Sequence, residues 1–534
     1  MTVSKVSGSK KQAAMADDAA AAAAVKTKGR WALAGVQFFL VLSVAGLCAI
    51  LFAPRLFSAP APYGAAVGFF APGSSTGNAS SPVQLGLDHV AGGGGDVDRE
   101  DGGAVKKQVL DNEVGSPCSS LPDHTICCDR SDYHSDVCFM AGDVRTDPAS
   151  LSLLLFPPPA TAAAAAAVAE ERIRPYTRKW DGCITKTIHE VRLRVARPEE
   201  ADGGRHRCDV RHDAPVHVVT AGGYSHNLFH VFNDGFLPLW LTAQHLRRRV
   251  VLAVLAHTPR WAAAYAELLA GVSGHRVVDL LGDSRTHCFP GSIVGTRYHD
   301  YLSVNSTRLR DNKTIADFHR FLAAAYGDDS STPETTTPPP QRRRRPRLGI
   351  VSRKGRRVIE NQAAVARLAA SVGFDVDIME TATGAPLSAA YAAVSSCDAL
   401  VGVHGADLTT LLFLRPGRAA VAQIAPLGIS LLSRNLFGVP AERMGLGYEQ
   451  YDVGAAESSL SRRYPAGHVV VADPARARRE QGAKEWELVE HVYLRGQNVT
   501  LDLARFRGTL ARMHARWKER QQRQVSGADA LPQI

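Results

Sequence analysis

Ala399-Leu-Val-Gly-Val-His-Gly-Ala-Asp-Leu-Thr-Thr410 opens with an apolar run that no polar residue interrupts. A strand with one wet face alternates, so an unbroken run marks a strand buried on both sides, as parallel strands are. The run stops at His404-Gly405-Ala406, where small residues let a ligand approach backbone N–H groups at the start of a helix. The pattern recurs around it. Leu348–Ser352, Val376–Met379 and Ala419–Ala425 are candidate strands, with helical stretches such as Gln362–Val372 between them. Upstream, Val216–Thr220, Val250–Leu255 and Val277–Leu281 repeat it, and Val191–Val195 alternates apolar and basic residues as an exposed strand would. Strands alternating with helices predict an α/β protein with parallel sheets covered on both faces. The chain exceeds one core, so two α/β domains are expected, at residues 116–330 and 345–534. A solvated linker rich in Thr, Ser, Pro and Arg, Gly327–Arg347, separates them.

Ligands of such folds bind at the C-terminal ends of strands, where three segments collect polar residues. After Val216–Thr220, Gly222 and Gly223 make a turn and a helix is expected from Ser225, its cap. On that helix Asn227, His230 and Asp234 share one face, and Phe229, Phe232 and Phe236 suit the core. A His one turn from an Asp is how a general base is oriented, although the spacing also suits metal ligation. The His404–Ala406 turn is the second segment; there Asp407 stands where it either caps the helix or repels a phosphate. The third is Ser352-Arg-Lys-Gly-Arg-Arg357, in which Arg353 and Arg357 offer forked donors to phosphate oxygens. Two phosphate-friendly strand ends place a nucleotide in the second half. No Walker A loop, no G-x-G-x-x-G after a strand and no Asp-x-Asp at a strand end of the first half is present.

An uncharged apolar run at residues 31–53 follows a basic tail, residues 1–30. A helix at about 1.5 Å per residue makes such a run long enough for a hydrocarbon core of about 30 Å. It is too long and begins too late for a cleaved signal peptide. Lys26, Lys28 and Arg30 precede it, and after Arg55 no Lys or Arg appears until Arg99. The expected topology is therefore type II, with the tail cytosolic and the rest luminal. Residues 54–115, rich in Gly, Ala, Ser and Pro, are expected to be a stem without a core. The interruption at residues 157–169 is expected to be a surface loop or a short helix. Beyond Cys48, eight cysteines remain: Cys118, Cys127, Cys128, Cys138, Cys183, Cys208, Cys288 and Cys397. That even luminal count suits disulfides. Asn78, Asn305, Asn312 and Asn498 begin sequons on the same side. The net charge of +10 comes partly from the tail and partly from Arg342–Arg345, and a luminal chain has no use for nucleic acid.

Taken together these segments resemble plant glycosyltransferase family 61, particularly the grass xylan arabinosyl- and xylosyltransferases. The matching segments include Ile126-Cys-Cys-Asp-Arg130, Gly142-Asp-Val-Arg145, Arg174-Pro-Tyr-Thr-Arg-Lys179, Gly222 to Asp234, Thr286-His-Cys-Phe-Pro290, Val294-Gly-Thr-Arg-Tyr-His299, Ser352 to Arg357, Val403-His-Gly-Ala406 and Gln497-Asn-Val-Thr-Leu-Asp502. The resemblance implies a GT-B fold, two Rossmann-like domains facing a cleft, with the acceptor on the first half and a UDP-sugar on the second. It implies a Golgi membrane enzyme that inverts the anomeric carbon without a metal or other cofactor and moves a pentose, arabinofuranose or xylose, to xylan. By this analogy His230 or Asp234 is the base, and Arg353, Arg357 and the His404–Ala406 backbone hold the UDP; Arg297 and His299 are further candidates for the cleft. The chain departs from the pattern at Asp407, where many members carry Gly. A transferase acting on N-glycans or protein hydroxyls, and a silent Golgi partner of an active transferase, are the alternatives.

Overall fold

The computed structural model describes residues 109–158, 170–197, 200, 204, 206–327, 345–380 and 386–525. The run at 31–53, Cys48, Asn78, the alanine-rich stretch at 160–169 and Arg342–Arg344 lie outside them. Among the described residues no helix is long and apolar enough to cross a membrane.

Ten strands of the first half form one sheet: β1 (Thr125–Asp129), β2 (Val137–Asp147), β3 (Ser152–Phe156), β4 (Glu171–Ile173), β5 (Val191–Val195), β6 (Val210–Arg211), β7 (Val216–Thr220), β8 (Val251–Leu255), β9 (Val278–Asp279) and β10 (His287–Gly295). The order is β4-β5-β3-β2-β10-β7-β8-β9, with β1 on β2 and β6 on β10. β10, β7, β8 and β9 run parallel, as expected. The sheet as a whole is mixed, a correction to the all-parallel expectation, because β2 runs antiparallel to β1, β3 and β10. A disulfide joins Cys128 to Cys138, which face each other directly across β1 and β2. β9 is shorter than expected because the Asp279 side chain accepts from Leu281 and Gly282 N–H and turns the chain.

The second half builds β11 (Arg347–Ser352), β12 (Asp375–Glu380), β13 (Ala399–Val403), β14 (Ala420–Ala425) and β15 (Gly447–Asp452). Every neighbouring pair is parallel, in the order β12-β11-β13-β14-β15. β13 shows why its run does not alternate. Ala399, Val401 and Val403 enter one core with Val365 and Ala369 of helix Gln362–Val372 and Phe506 and Leu510 of helix Leu503–Val525. Leu400 enters the opposite one. That opposite core is shared, since it also holds Phe232, Trp240 and Phe318 of the first half and Phe413 and Phe437 of the second. Asp101–Ile534 accordingly forms one compact unit.

One expectation is corrected at the edge of the fold. The end of the expected stem is built into the structure: Asp111, Asn112 and Glu113 are buried. Arg297 reaches Asp111 at 2.6 Å and Asp129 at 2.5 Å, and Glu113 takes both His299 and Arg308. These carboxylates fasten the segment down. Arg345, the described end of the basic cluster, is exposed and donates to the carbonyls of Ala370 and Gly373 at the C-terminal end of a helix.

Six of the eight cysteines pair, as Cys118–Cys127, Cys128–Cys138 and Cys208–Cys288. Cys183 is exposed and Cys397 buried, both unpaired, which corrects the inference drawn from an even count. Cys208–Cys288 spans 80 residues. Replacing both by Ser should lower the unfolding free energy by about 4 kcal/mol. Denaturant titration under non-reducing conditions checks this, and an unchanged midpoint would mean the bridge does not restrain the unfolded chain.

Candidate active site

The helix expected after β7 starts later than predicted and is not regular. Asn227, not Ser225, is its cap: Asn227 Oδ1 accepts from Phe229 N–H at 3.0 Å, ahead of a short α-turn, Leu228–His230. The chain then widens into a π-turn, Val231–Phe236, before helix Leu237–Ala243. Pro238 explains the widening. Lacking an N–H, it leaves the Asp234 carbonyl without its i+4 donor, and Thr177 Oγ1 donates there instead at 3.3 Å. Such π-turns are frequent at functional sites. Gly223, at φ 69°, lets the chain pass over the Tyr176 ring, 2.5 Å from where a Cβ would stand.

Asp234 is the centre of this site. It accepts from His230 Nδ1 at 2.6 Å, Arg178 Nε at 2.7 Å and Asn233 Nδ2 at 2.6 Å, with Tyr176 Oη at 3.4 Å. Burial alone pushes its carboxyl up, but the His230 hydrogen bond and the Arg178 charge outweigh burial and hold it below the ordinary carboxylate range. The ionised Asp234 therefore fixes the His230 tautomer with the proton on Nδ1 and leaves Nε2 as the acceptor. Asn227 Oδ1 is engaged at the cap, and Asn227 is not among the groups that hold Asp234. Among the described residues no group of three or more His, Cys, Asp and Glu is arranged for a metal ion. His230 and Asp234 line a pocket with Gly222, Ser225, Trp261 and Thr296.

The second constellation forms at the reversal of strand order between β11 and β13, where open α/β sheets leave a crevice. Arg353 and Arg357 follow β11, and His404 follows β13. Gly405 has φ 152°, and a Cβ there would lie 2.7 Å from Arg353 Nη1 and 3.2 Å from Arg357 Nη2, so both guanidiniums close on a bare backbone. Ala406 begins a 3₁₀ helix, Ala406–Phe413. Asp407 pairs with Arg353 at 2.6 Å. Arg357 has no acidic partner among the described residues; its Nε is buried without a hydrogen bond, and its φ is 53°. Burial, then the Arg353 charge, lowers the Arg357 guanidinium to about 10. His404 is buried and accepts from Gln423 Nε2 at 3.0 Å, and burial holds its imidazole down to about 3, so it is neutral.

The fold joins these two strand ends. Phe437 packs against Phe229 on one side, ring centroids 5.6 Å apart, and against His404 on the other, at 5.3 Å. Arg297 and His299 do not reach this place; they are committed to the network that fastens residues 111–116. Asn305 and Asn312 are exposed. Asn498 instead accepts from Val358 N–H and, beside Gln497, which accepts from Arg357 N–H through its carbonyl, holds the arginine loop. Arg178 and Tyr176 were missed as site residues, although both lie in the segment Arg174–Lys179. Neither Gln423 nor Phe437 carries a signal in the sequence.

The family model for glycosyltransferase 61 matches residues 228–421, which run from the His230 turn to β14. The chain is 34% identical over 421 residues to the xylan glycosyltransferase MUCI21 of Arabidopsis thaliana, covering 77% of this chain and 84% of that one. It belongs to glycosyltransferase family 61. Two rice (Oryza sativa subsp. japonica) relatives add to this. The beta-1,2-xylosyltransferase XYXT1 is 35% identical over 73% of this chain and 84% of its own length, and the alpha-1,3-arabinosyltransferase XAT3 is 34% identical over 72% and 64%. As a member of family 61 the chain is a glycosyltransferase.

Removing the Asp234 carboxylate strands the buried Arg178 charge, whereas removing His230 leaves the Asp234–Arg178 pair intact. Asp234→Ala should cost about 3–5 kcal/mol of stability, and His230→Ala markedly less. The ionised Asp234 stabilises fully above the ordinary carboxylate pKa, and this is lost as pH falls through its lowered native value. Thermal unfolding from neutral pH downward checks both: equal losses, or an unchanged acid limb in Asp234→Ala, would refute the arrangement.

Proposed function

We propose that this chain is a Golgi type II membrane enzyme that moves a pentose, arabinofuranose or xylose, from a UDP-sugar to xylan, with inversion. The single observation that carries the reading is the meeting, through Phe437, of an oriented imidazole with a crevice holding an unpaired arginine. In this reading His230 Nε2 takes the proton of the acceptor hydroxyl as its oxygen attacks the anomeric carbon. The bond to the diphosphate breaks with its electron pair, and UDP carries the charge away. Arg357 and the N–H groups at Gly405 and Ala406 stabilise that charge. Asp234 is a positioning residue, because its oxygens already hold His230, Arg178 and Asn233. A single displacement with one base gives inversion.

Asp407, the departure from the family pattern, lies against Arg353. Its charge is neutralised there and Arg357 is left for the phosphate, which favours an active transferase over a silent partner. In this reading the fold is of GT-B type, with the acceptor on the first half and UDP on the second, and the two sheets are compatible with it. Side-chain cations serve the leaving group, and activity should therefore survive EDTA. The sugar and the acceptor rest on the printed activities of the relatives. The anchor at 31–53 and the Golgi placement rest on the sequence, and the three disulfides suit an oxidising lumen.

Full-length protein in detergent, given xylo-oligosaccharides and a panel of UDP-sugars, should add one pentose from UDP-arabinofuranose or UDP-xylose, read by mass. His230→Ala should lower kcat about 10²–10⁴-fold with little change in KM. Arg357→Ala should weaken UDP binding about tenfold or more. Transfer only to N-glycans or peptides would replace the acceptor in this reading, and absent UDP binding would end it.

A further inference from the structure

Beside the His230 pocket lie two large aromatic side chains that the fold leaves in solvent. Tyr133 is 68% exposed and Trp180 43%, against an interior in which most aromatics are buried. Their rings are parallel within 6° with centroids 6.4 Å apart. They are held in place rather than loose. Trp180 Nε1 donates to His134 Nδ1 at 3.2 Å, and His134 in turn stacks on Tyr298 at 4.4 Å. The Arg178 guanidinium lies 5.3 Å from the Trp180 ring and 5.7 Å from that of Tyr224. Arg178 is also the arginine that holds Asp234, and the Tyr224 ring is 4.7 Å from His230. Arg178 and Asp234 thus connect Trp180 of the exposed pair to the oriented imidazole.

Two ordered, parallel aromatic faces kept in water cost solvation with nothing gained inside the protein. They suit a ligand that is flat and apolar on its faces and polar around its rim. A pyranose with equatorial hydroxyls has that character: its axial C–H bonds form an apolar face, and a xylose unit, with no hydroxymethyl group, presents such a face on both sides. We infer that Tyr133 and Trp180 form a docking platform for the acceptor chain, stacking on pyranose rings next to the one whose hydroxyl reaches His230. The spacing of the two rings is on the scale of one sugar unit, so the platform reads the length of the acceptor. Arg178 links platform and imidazole, and the chain is thereby placed in line with the base. The inference rests on the transferase reading above and adds the surface that selects a polymer over a free sugar.

The test uses the full-length protein in detergent, with wild type, Trp180→Ala, Trp180→Phe and Tyr133→Ala. Two readouts are taken: binding of xylohexaose and of xylobiose by calorimetry, and transfer kinetics on both. Each alanine variant should raise Kd and KM for xylohexaose about tenfold, leave kcat and UDP affinity near wild type and erase the preference for xylohexaose over xylobiose. Trp180→Phe, which keeps an aromatic face, should recover most of the affinity. Tyr133 is mostly exposed and has little packing to lose, so its variant answers even if Trp180→Ala fails to fold. Unchanged xylohexaose binding in Tyr133→Ala, with wild type binding it, would overturn the platform and leave the transferase reading intact. Should wild type bind no xylohexaose, the xylan reading fails, and chitohexaose and a mannose-rich N-glycan take its place in the same titration. Loss of their binding in Tyr133→Ala supports the platform, and unchanged or absent binding overturns it.

Discussion

The rest of this site depends on one buried carboxylate that its partners keep ionised. Asp234 is almost excluded from water, and an isolated carboxylate there would neutralise itself by taking a proton. It stays ionised because Arg178 and His230 converge on it, at 2.7 and 2.6 Å. That requirement brings the segment before β5 onto the helix after β7. It also fixes which imidazole nitrogen is free, and it orients the guanidinium that faces Trp180. A carbonyl released by Pro238 and captured by Thr177 gives the π-turn that sets His230 and Asp234 in register. Chemistry and architecture meet in the same few atoms.

On the other side of Phe437 the electrostatics run in the opposite sense. Two arginines share a crevice with one carboxylate, and one guanidinium is left without an acidic partner. Burial and the neighbouring charge lower Arg357 to about 10, a measure of how poorly the protein alone solvates it. A pocket strained in this way gains most when an anion enters. The strand order supplies the position, because helices leave β11 and β13 in opposite directions and open the crevice at their C-terminal ends. The chain belongs to glycosyltransferase family 61, and in the proposed reading one half offers a base to the acceptor and the other a cationic cradle to the leaving group.

Much of the framework was legible because it rests on local patterns. β5, β7, β13 and helix Gln362–Val372 fall on their expected residues, since an apolar run or a 3.6-residue period reports burial directly. His230 and Asp234 were legible for the same reason, lying four residues apart on one turn. The antiparallel β2 was not: it pairs with its sequence neighbours β1 and β3, but its place in the sheet is set by β10, distant in sequence. Arg297 and His299 carry the residue types of a site, but the buried carboxylates that take them, Asp111, Asp129 and Glu113, lie far away in sequence. Asn227 shares a spacing with His230 but spends its side chain on a backbone N–H.

By itself, then, the sequence determined the strand-and-helix alternation, the two strand-end clusters and the family, all properties of neighbouring residues or of ordered motifs. Only the tertiary structure decided which cysteines pair, that Arg178 and not Asn227 completes the Asp234 site, and that Asp407 is neutralised by Arg353. It also decided that Tyr133 and Trp180 stand parallel in solvent. Each of these is a contact between side chains whose chain positions carry no mutual signal. The energy that selects them, pairing a buried charge or covering an apolar face, exists only once the chain has brought them together.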